Sequence, residues 1–230
     1  MGRKPTTEDG LGSLHYLTRI SHLAAIHFCC TLLLVKGTFI VLEGPDAAGT
    51  TTQSHLLAEN LRAKGVDVVL TNEPTDNEIG KFIRQQLSQK TIPSPEALQM
   101  LFCADRALHV KTVIQPAMKA GKTVITDRYM TSTLIYGAAL GIDIKWLERL
   151  NILFPKPDIE IFTLPGLEVC LQRMQKRKEG DVFENVNFAT TIYRLYEAMA
   201  SQKNSVYIVD TSKEKQEAAQ NIMQLIENIA

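Results

Sequence analysis

From Gly37 onward, short apolar runs rich in β-formers alternate with amphipathic stretches of helical period. Residues 38–42 (TFIVL), bounded by Gly37 and Gly44, predict a buried strand. Residues 52–64 predict a helix, because Leu56, Leu57 and Leu61 share a face and Gly65 stops it. A second strand is expected at 66–70, then a short helix at 79–87 and a long one at 94–119. In the long helix Pro95 lies near the start, and Pro116 is expected to kink or end it. The third strand is 122–126 (KTVIT), followed by helices at 131–140 and 145–153 and a fourth strand at 159–163. Helices at 167–177 and 188–201 flank a polar link, and strand 206–209 and helix 213–228 close the chain. Apolar strands separated by helices imply an α/β fold: five parallel strands covered by helices on both faces, in three αβα layers. Ligands of such folds bind beyond the carboxyl ends of the strands.

The segment before this pattern differs. Residues 23–35 (LAAIHFCCTLLLV) are apolar apart from His27 and Thr31, a run too short to span a bilayer comfortably. Arg3, Lys4 and Arg19 precede it, but so do Glu8 and Asp9, and no small-residue cleavage site follows. Residues 1–35 are therefore expected to be a flexible or weakly helical extension and 36–230 the folded domain, without stable membrane insertion; organelle targeting or membrane association is the alternative for the extension.

Composition narrows the picture only slightly. Of 230 residues, 25 are Lys or Arg and 25 are Asp or Glu, so no global charge points to nucleic acid or to an anionic membrane. Cys29, Cys30, Cys103 and Cys170 show neither a Cys-x-x-Cys pair nor zinc-ligand spacing. Free thiols in a reducing, cytoplasmic setting fit them best.

The chemistry begins at residues 44–52, GPDAAGTTT. The phosphate-binding pattern is G-x-x-x-x-G-K-[ST]. Gly44 and Gly49 have that spacing and Thr51 fills the last slot, but Thr50 stands where the lysine belongs. The loop follows a strand and opens a helix, as the motif requires. Its glycines would let backbone N–H groups of Ala47, Ala48 and Gly49 turn inward, and the helix start adds partial positive charge. The Thr51 hydroxyl takes the Mg²⁺ position, with the hydroxyls of Thr50 and Thr52 beside it. The plain alternative is an ordinary glycine turn. Further on, Phe102 and Arg106 are four residues apart on one helix face, a ring and a guanidinium fork suited to a nucleobase, or else a core Phe beside a surface Arg. Asp127, Arg128 and Tyr129 end the third strand, where an acid suits a metal or water and an arginine suits phosphates.

Taken together, FIVLEGPDAAGTTTQ (39–53), TNEPTDNEIGKFIR (71–84), MLFCADRALH (100–109), DRYMTSTLIYG (127–137), KPDIEIFT (156–163), RMQKRKEGDVFE (173–184) and VYIVDTS (206–212) resemble the thymidylate kinase (dTMP kinase) family of P-loop nucleoside monophosphate kinases. The resemblance runs from about Gly37 to the end. It implies transfer of phosphate from ATP to dTMP with Mg²⁺, a lid at about 173–185, and a homodimer. It assigns Asp46 to the sugar and acceptor phosphate, Phe102 to stacking on thymine, and Arg106 to the base edge. Glu73, Ser132 and Tyr136 join the dTMP pocket, Tyr136 disfavouring a 2′-hydroxyl. Arg128 would bridge donor and acceptor phosphates with Asp127 near the metal. Arg173 and Arg177 would reach ATP phosphates from the lid, and residues 210–212 would lie near adenine.

Three departures remove positive charge: Thr50 in the lysine slot, Val182 for a lid arginine, and Asn72 for an arginine before Glu73-Pro74. Lid arginines are the natural replacements. A working kinase with an altered donor site is the favoured expectation, and a catalytically weak, nucleotide-binding regulatory homologue the alternative.

Overall fold

The computed structural model describes residues 37–89, 94–176, 185–203 and 205–229. The 1–35 extension and most of the expected lid, including Arg177 and Val182, lie outside the described residues. Five strands form one parallel sheet in the order β2-β3-β1-β4-β5: β1 (Phe39–Glu43), β2 (Val68–Asn72), β3 (Thr123–Asp127), β4 (Ile159–Thr163) and β5 (Val206–Val209). The expected α/β architecture is the one observed.

β1 is buried along its whole length and sits at the centre. Its side chains alternate between faces. Ile40 and Leu42 pack with Leu57 and Leu61 of helix α1 (Thr50–Ala63) and Ile222 and Ile226 of helix α9 (Lys215–Ile229). Phe39 and Val41 pack on the other side against Val110, Ile114 and Tyr129. That face is extended by helices α2 (Glu78–Ser88), α3 (Pro95–His109), α5 (Met130–Ala139) and α8 (Val186–Gln202), through Ile83, Leu98, Ile135 and Ile192. Helix α6 (Ile144–Asn151) follows α5, and α7 (Leu167–Gln175) follows β4.

Register brings the carboxyl ends of the strands level: Leu42 lies beside Asp127, Asn72 beside Asp127, and Glu43 beside Phe162. The chain crosses from β1 to the edge strand β2, returns to β3 beside β1, and then passes to β4 and β5 on the other side. A crevice therefore opens above β1, where the strand order reverses.

Two boundaries move for local reasons. Val66 is not in a strand: its N–H bonds back to the Leu61 carbonyl and closes α1 in a Schellman turn around Gly65, whose φ is 82°. The expected 94–119 helix is interrupted. A wider π turn at Val110–Ile114 separates α3 from α4 (Gln115–Lys119), and Pro116 lies inside α4 rather than ending the helix. Pro116 has no N–H for the carbonyl one turn earlier, and the wider turn just before it absorbs the mismatch.

The β2–α2 connection is tightly built. A Cβ at Gly80 would lie 1.9 Å from the Thr75 carbonyl oxygen, a backbone atom that cannot swing aside. Gly80→Ala should cost about 3 kcal/mol or more by displacing this segment. Gly141→Ala, with nothing within 4 Å and φ at 86°, should cost only about 1–2 kcal/mol of backbone strain. Urea midpoints of the two variants check the difference, and equal losses would contradict it.

Candidate active site

The loop between β1 and α1 is shaped by short approaches. A Cβ at Gly44 would fall 2.6 Å from Thr163 Oγ1 and 2.7 Å from the Thr163 carbonyl, so only glycine fits. Ala47 and Gly49 both have positive φ, 62° and 93°, which turns this loop into a concave run of amides. Gly49 caps α1 without a side-chain bond. The first-turn N–H groups of α1 thus have neither an intrahelical acceptor nor a capping side chain. Thr50 is buried, at 5% exposure. Thr51 Oγ1 donates to Asp127 Oδ2 at 2.5 Å, while Asp127 Oδ1 is buried without a partner.

Across this loop lies Arg128, held at φ 68° by the sharp turn after β3. Its Nη1 donates to the Gly44 carbonyl at 2.8 Å and to Ser132 Oγ at 3.3 Å, and its Nη2 to Asp46 Oδ1 at 2.8 Å. The guanidinium also lies 5.5 Å from the Tyr136 ring centre. Burial opposes its charge, but Tyr136, Asp46, Tyr196 and Asp127 outweigh that and hold its pKa above the ordinary arginine value.

Two clefts meet at this pair. One, of about 560 Å³, is lined by Glu73, Pro74, Gln99, Phe102, Arg106 and Thr133 among others. The other, of about 1050 Å³, is lined by Ala47, Gly49, Thr50, Thr51, Thr52 and Arg173, with Thr211, Lys213 and Lys215 at its edge. Asp46 and Arg128 line both. Arg173 is anchored beside the loop, with Nη1 donating to the Ala47 carbonyl at 3.3 Å and Nη2 to the Thr211 carbonyl at 2.7 Å.

Most residues singled out from sequence therefore line one cleft or the other. Arg106 differs most from expectation. It is no surface arginine: it is 1% exposed, and its donors are already spoken for. Nε donates to Glu73 Oε2 at 2.9 Å, Nη1 to Asn151 Oδ1 at 2.5 Å and Nη2 to the Tyr129 carbonyl at 2.7 Å, with a second approach of Nη2 to Glu73 Oε2 at 2.7 Å. With five N–H donors in a guanidinium, at most one is left for a ligand. Glu73 is equally engaged, since its other oxygen meets His109 Nδ1 at 2.9 Å and His109 Nε2 meets Thr71 Oγ1 at 2.8 Å. Asn72, which departs from the arginine of the family pattern, uses its amide to hold the Pro74 carbonyl at 2.7 Å.

Three contributors escaped the sequence reading. His109 repeats the Arg106 face one turn later, a spacing visible in DRALH. Gln99 is a polar residue one turn before Phe102 on the same stripe. Glu43 is wholly buried at the end of β1, where nothing in an apolar run marks its role. Its carboxylate accepts from the Tyr129 and Ser132 amides at 2.8 and 3.1 Å, from Ser132 Oγ at 2.6 Å and from Tyr196 Oη at 3.1 Å. Burial raises its pKa, and the bond from Ser132 works against that rise.

A strand–glycine loop–helix, a carboxylate touching the loop threonine and a shared Asp–Arg pair form the geometry of a phosphate-handling site. A family model described as thymidylate kinase matches residues 42–222, most of the chain and all of these features. The chain belongs to the thymidylate kinase family. Similar proteins named "Probable thymidylate kinase" bear this out. The one from Pyrococcus horikoshii is 44% identical over 157 residues, covering 66% of this chain and 77% of that protein. The one from Pyrococcus abyssi is 38% identical over 200 residues, 84% of this chain and 98% of its own. That of Methanocaldococcus jannaschii is 35% identical over 196 residues, 85% and 99% respectively. The chain is thus an enzyme of this family. Among the described residues no helix is long and apolar enough to cross a membrane.

Because Glu73 is 2% exposed at its side chain, removing its arginine leaves a buried charge with only His109 facing it. Arg106→Ala should cost about 3–5 kcal/mol of stability, and Arg106→Ala/Glu73→Gln should recover part of that. Chemical denaturation of the three proteins checks this. An Arg106→Ala loss below about 1 kcal/mol would make the network unimportant for folding.

Proposed function

We propose that this chain transfers the γ-phosphoryl group of ATP to dTMP, giving ADP and dTDP. The observation that carries this reading is the single Asp46–Arg128 pair lining both clefts. One cleft has an aromatic ring, Phe102, and a buried polar floor suited to a nucleobase. The other has the amide-rich loop and Arg173, suited to a triphosphate.

In this reading Phe102 stacks on thymine, while Ser132 and Tyr136 bound the deoxyribose. Asp46 orients the acceptor end, and its bond to Arg128 keeps the guanidinium at the boundary between donor and acceptor. An acceptor phosphate oxygen, already anionic near neutral pH, attacks in line. Arg128 then faces the charge spreading over the transferred group, where a positioned donor matters most.

Thr51 and Asp127 fit a Mg²⁺ site. They supply hard oxygen donors, and the buried Asp127 Oδ1 has no other partner. Mg²⁺ takes few protein ligands, keeping waters and substrate phosphates for the rest. When bound there it would neutralise charge on the donor phosphates. Assembly as a homodimer, which the family resemblance implies, and a cytoplasmic location, which the free thiols suit, belong to the same reading.

Thr50 leaves the loop without the lysine charge, and Arg173 supports a replacement. Its Nη1 would lie 4.0 Å from a Cβ on Gly49, next to where the lysine would start. Arg173→Ala should lower kcat by about a hundredfold. Thr50→Lys should help the Arg173→Ala variant more than it helps the wild type, because both changes act on one phosphate charge. A double-mutant cycle on kcat at saturating dTMP measures this. Identical gains in both backgrounds would mean that the two positions act independently.

The activity itself is tested by ADP release with dTMP, dUMP, UMP and CMP as acceptors. Turnover should be fastest with dTMP. Binding of ATP and dTMP without turnover would favour a regulatory nucleotide-binding role, for which Thr50 is the motivating feature. Faster turnover of a ribonucleotide would reassign the substrate.

A further inference from the structure

Gln99 is a buried amide with nothing to bond. It is 0% exposed, and both Nε2 and Oε1 lack a hydrogen-bond partner. It nonetheless lines the smaller cleft. A fully buried, unsatisfied amide is costly, and a leucine of similar size would fill the space without that cost. Its neighbours show what it faces. Gln99, Phe102 and Arg106 fall at i, i+3 and i+7 on α3, so they form one stripe along the cleft wall. Phe102 supplies a flat apolar surface in the middle. On the far side of that ring Arg106 has at most one N–H to offer, because Glu73, Asn151 and Tyr129 take the rest. The Thr133 hydroxyl, lining the same cleft, is also buried and unpartnered.

We infer that Gln99 is a substrate-binding residue that pairs with the imide edge of the pyrimidine, resting on the reading that dTMP occupies this cleft. An imide offers one N–H flanked by two carbonyl oxygens. A primary amide offers the complement, one carbonyl acceptor and an N–H₂ donor side by side. Gln99 can accept from the ring N–H with Oε1 and donate to an adjacent carbonyl with Nε2, satisfying both orphaned atoms in one step. Ser, Thr and Tyr hydroxyls in the cleft cannot supply that paired pattern. The amide can rotate to suit an amino-pyrimidine as well, so rejection of cytosine falls to the remaining fixed donor of Arg106. Gln99 supplies affinity for the edge.

The test pairs stability with binding. Gln99→Leu should raise the Tm of the ligand-free protein, because an unsatisfied amide is replaced by a hydrocarbon. It should also raise the dTMP Kd by about tenfold and shrink the thermal shift that dTMP produces. Wild-type protein should bind N3-methyl-dTMP more weakly than dTMP, and that penalty should diminish in the Gln99→Leu variant. Phe102→Ala serves as the control for the cleft assignment. If Phe102→Ala weakens dTMP but Gln99→Leu does not, the inference fails while the cleft assignment survives. If neither weakens dTMP, the cleft assignment itself fails. A Gln99→Leu protein that is less stable without ligand, or that does not fold, places Gln99 in packing and overturns the inference.

Discussion

The carboxylate of Glu43 holds the site together. It lies at the end of the central strand, out of reach of solvent, and accepts four hydrogen bonds from residues far along the chain. Two come from the backbone that opens α5, one from the Ser132 hydroxyl and one from Tyr196 on α8. A buried carboxylate without such donors would be untenable. With them it fixes where α5 begins relative to β1, and so fixes Arg128, two residues before that helix starts. Arg128 in turn grips the Gly44 carbonyl and Asp46. The phosphate loop, the β3 turn and the wall of the smaller cleft are thus coupled through one anion and one cation.

The polar networks at the site divide into those complete without a ligand and those left open. Arg106, Glu73, His109 and Thr71 form a nearly closed set, with every charge facing a partner and one Arg106 N–H left over. Such a set organises the cleft wall and holds the Glu73-Pro74 segment against α3. By contrast, Asp127 Oδ1, Thr133 Oγ1 and both polar atoms of Gln99 are buried and open. Native interiors contain few such atoms, and each calls for a reason. Gln99 and Thr133 line the smaller cleft, and Asp127 meets Thr51 of the larger one; in the function proposed above, a substrate or its metal would supply the missing partners. On that proposal, stability is given up there for binding, as functional sites commonly require.

Charge placement follows the same logic. The loop lacks its usual lysine, yet the larger cleft is bordered by Arg173, Lys213, Lys215 and Arg128. None of these belongs to the loop itself. Arg173 stands on α7 and reaches back to the Ala47 and Thr211 carbonyls. A cation brought from another element can be positioned independently of the loop backbone, which keeps its own role of presenting amides.

The alternation of apolar strands and amphipathic helices was enough to read the five-stranded parallel sheet, because burial of β1 on both faces demands a continuous apolar run. Glycine spacing revealed the phosphate loop for an equally local reason: Gly44 and Gly49 are required by the backbone within a few residues. Phe102 with Arg106, and Asp127 with Arg128, were legible as pairs through helix spacing and strand ends. What pattern alone could not show was which polar groups are already satisfied. Arg106 reads identically in sequence whether it faces a base or, as here, a buried glutamate from a loop 33 residues away. Glu43 looks like the last residue of a strand until α5 and α8 fold over it, and Gln99 looks like one polar position in a helix until the cleft closes around it without a partner. Local chemistry set the elements and their motifs. The tertiary fold decided each side chain's role, because hydrogen-bond satisfaction depends on partners that only long-range packing brings near.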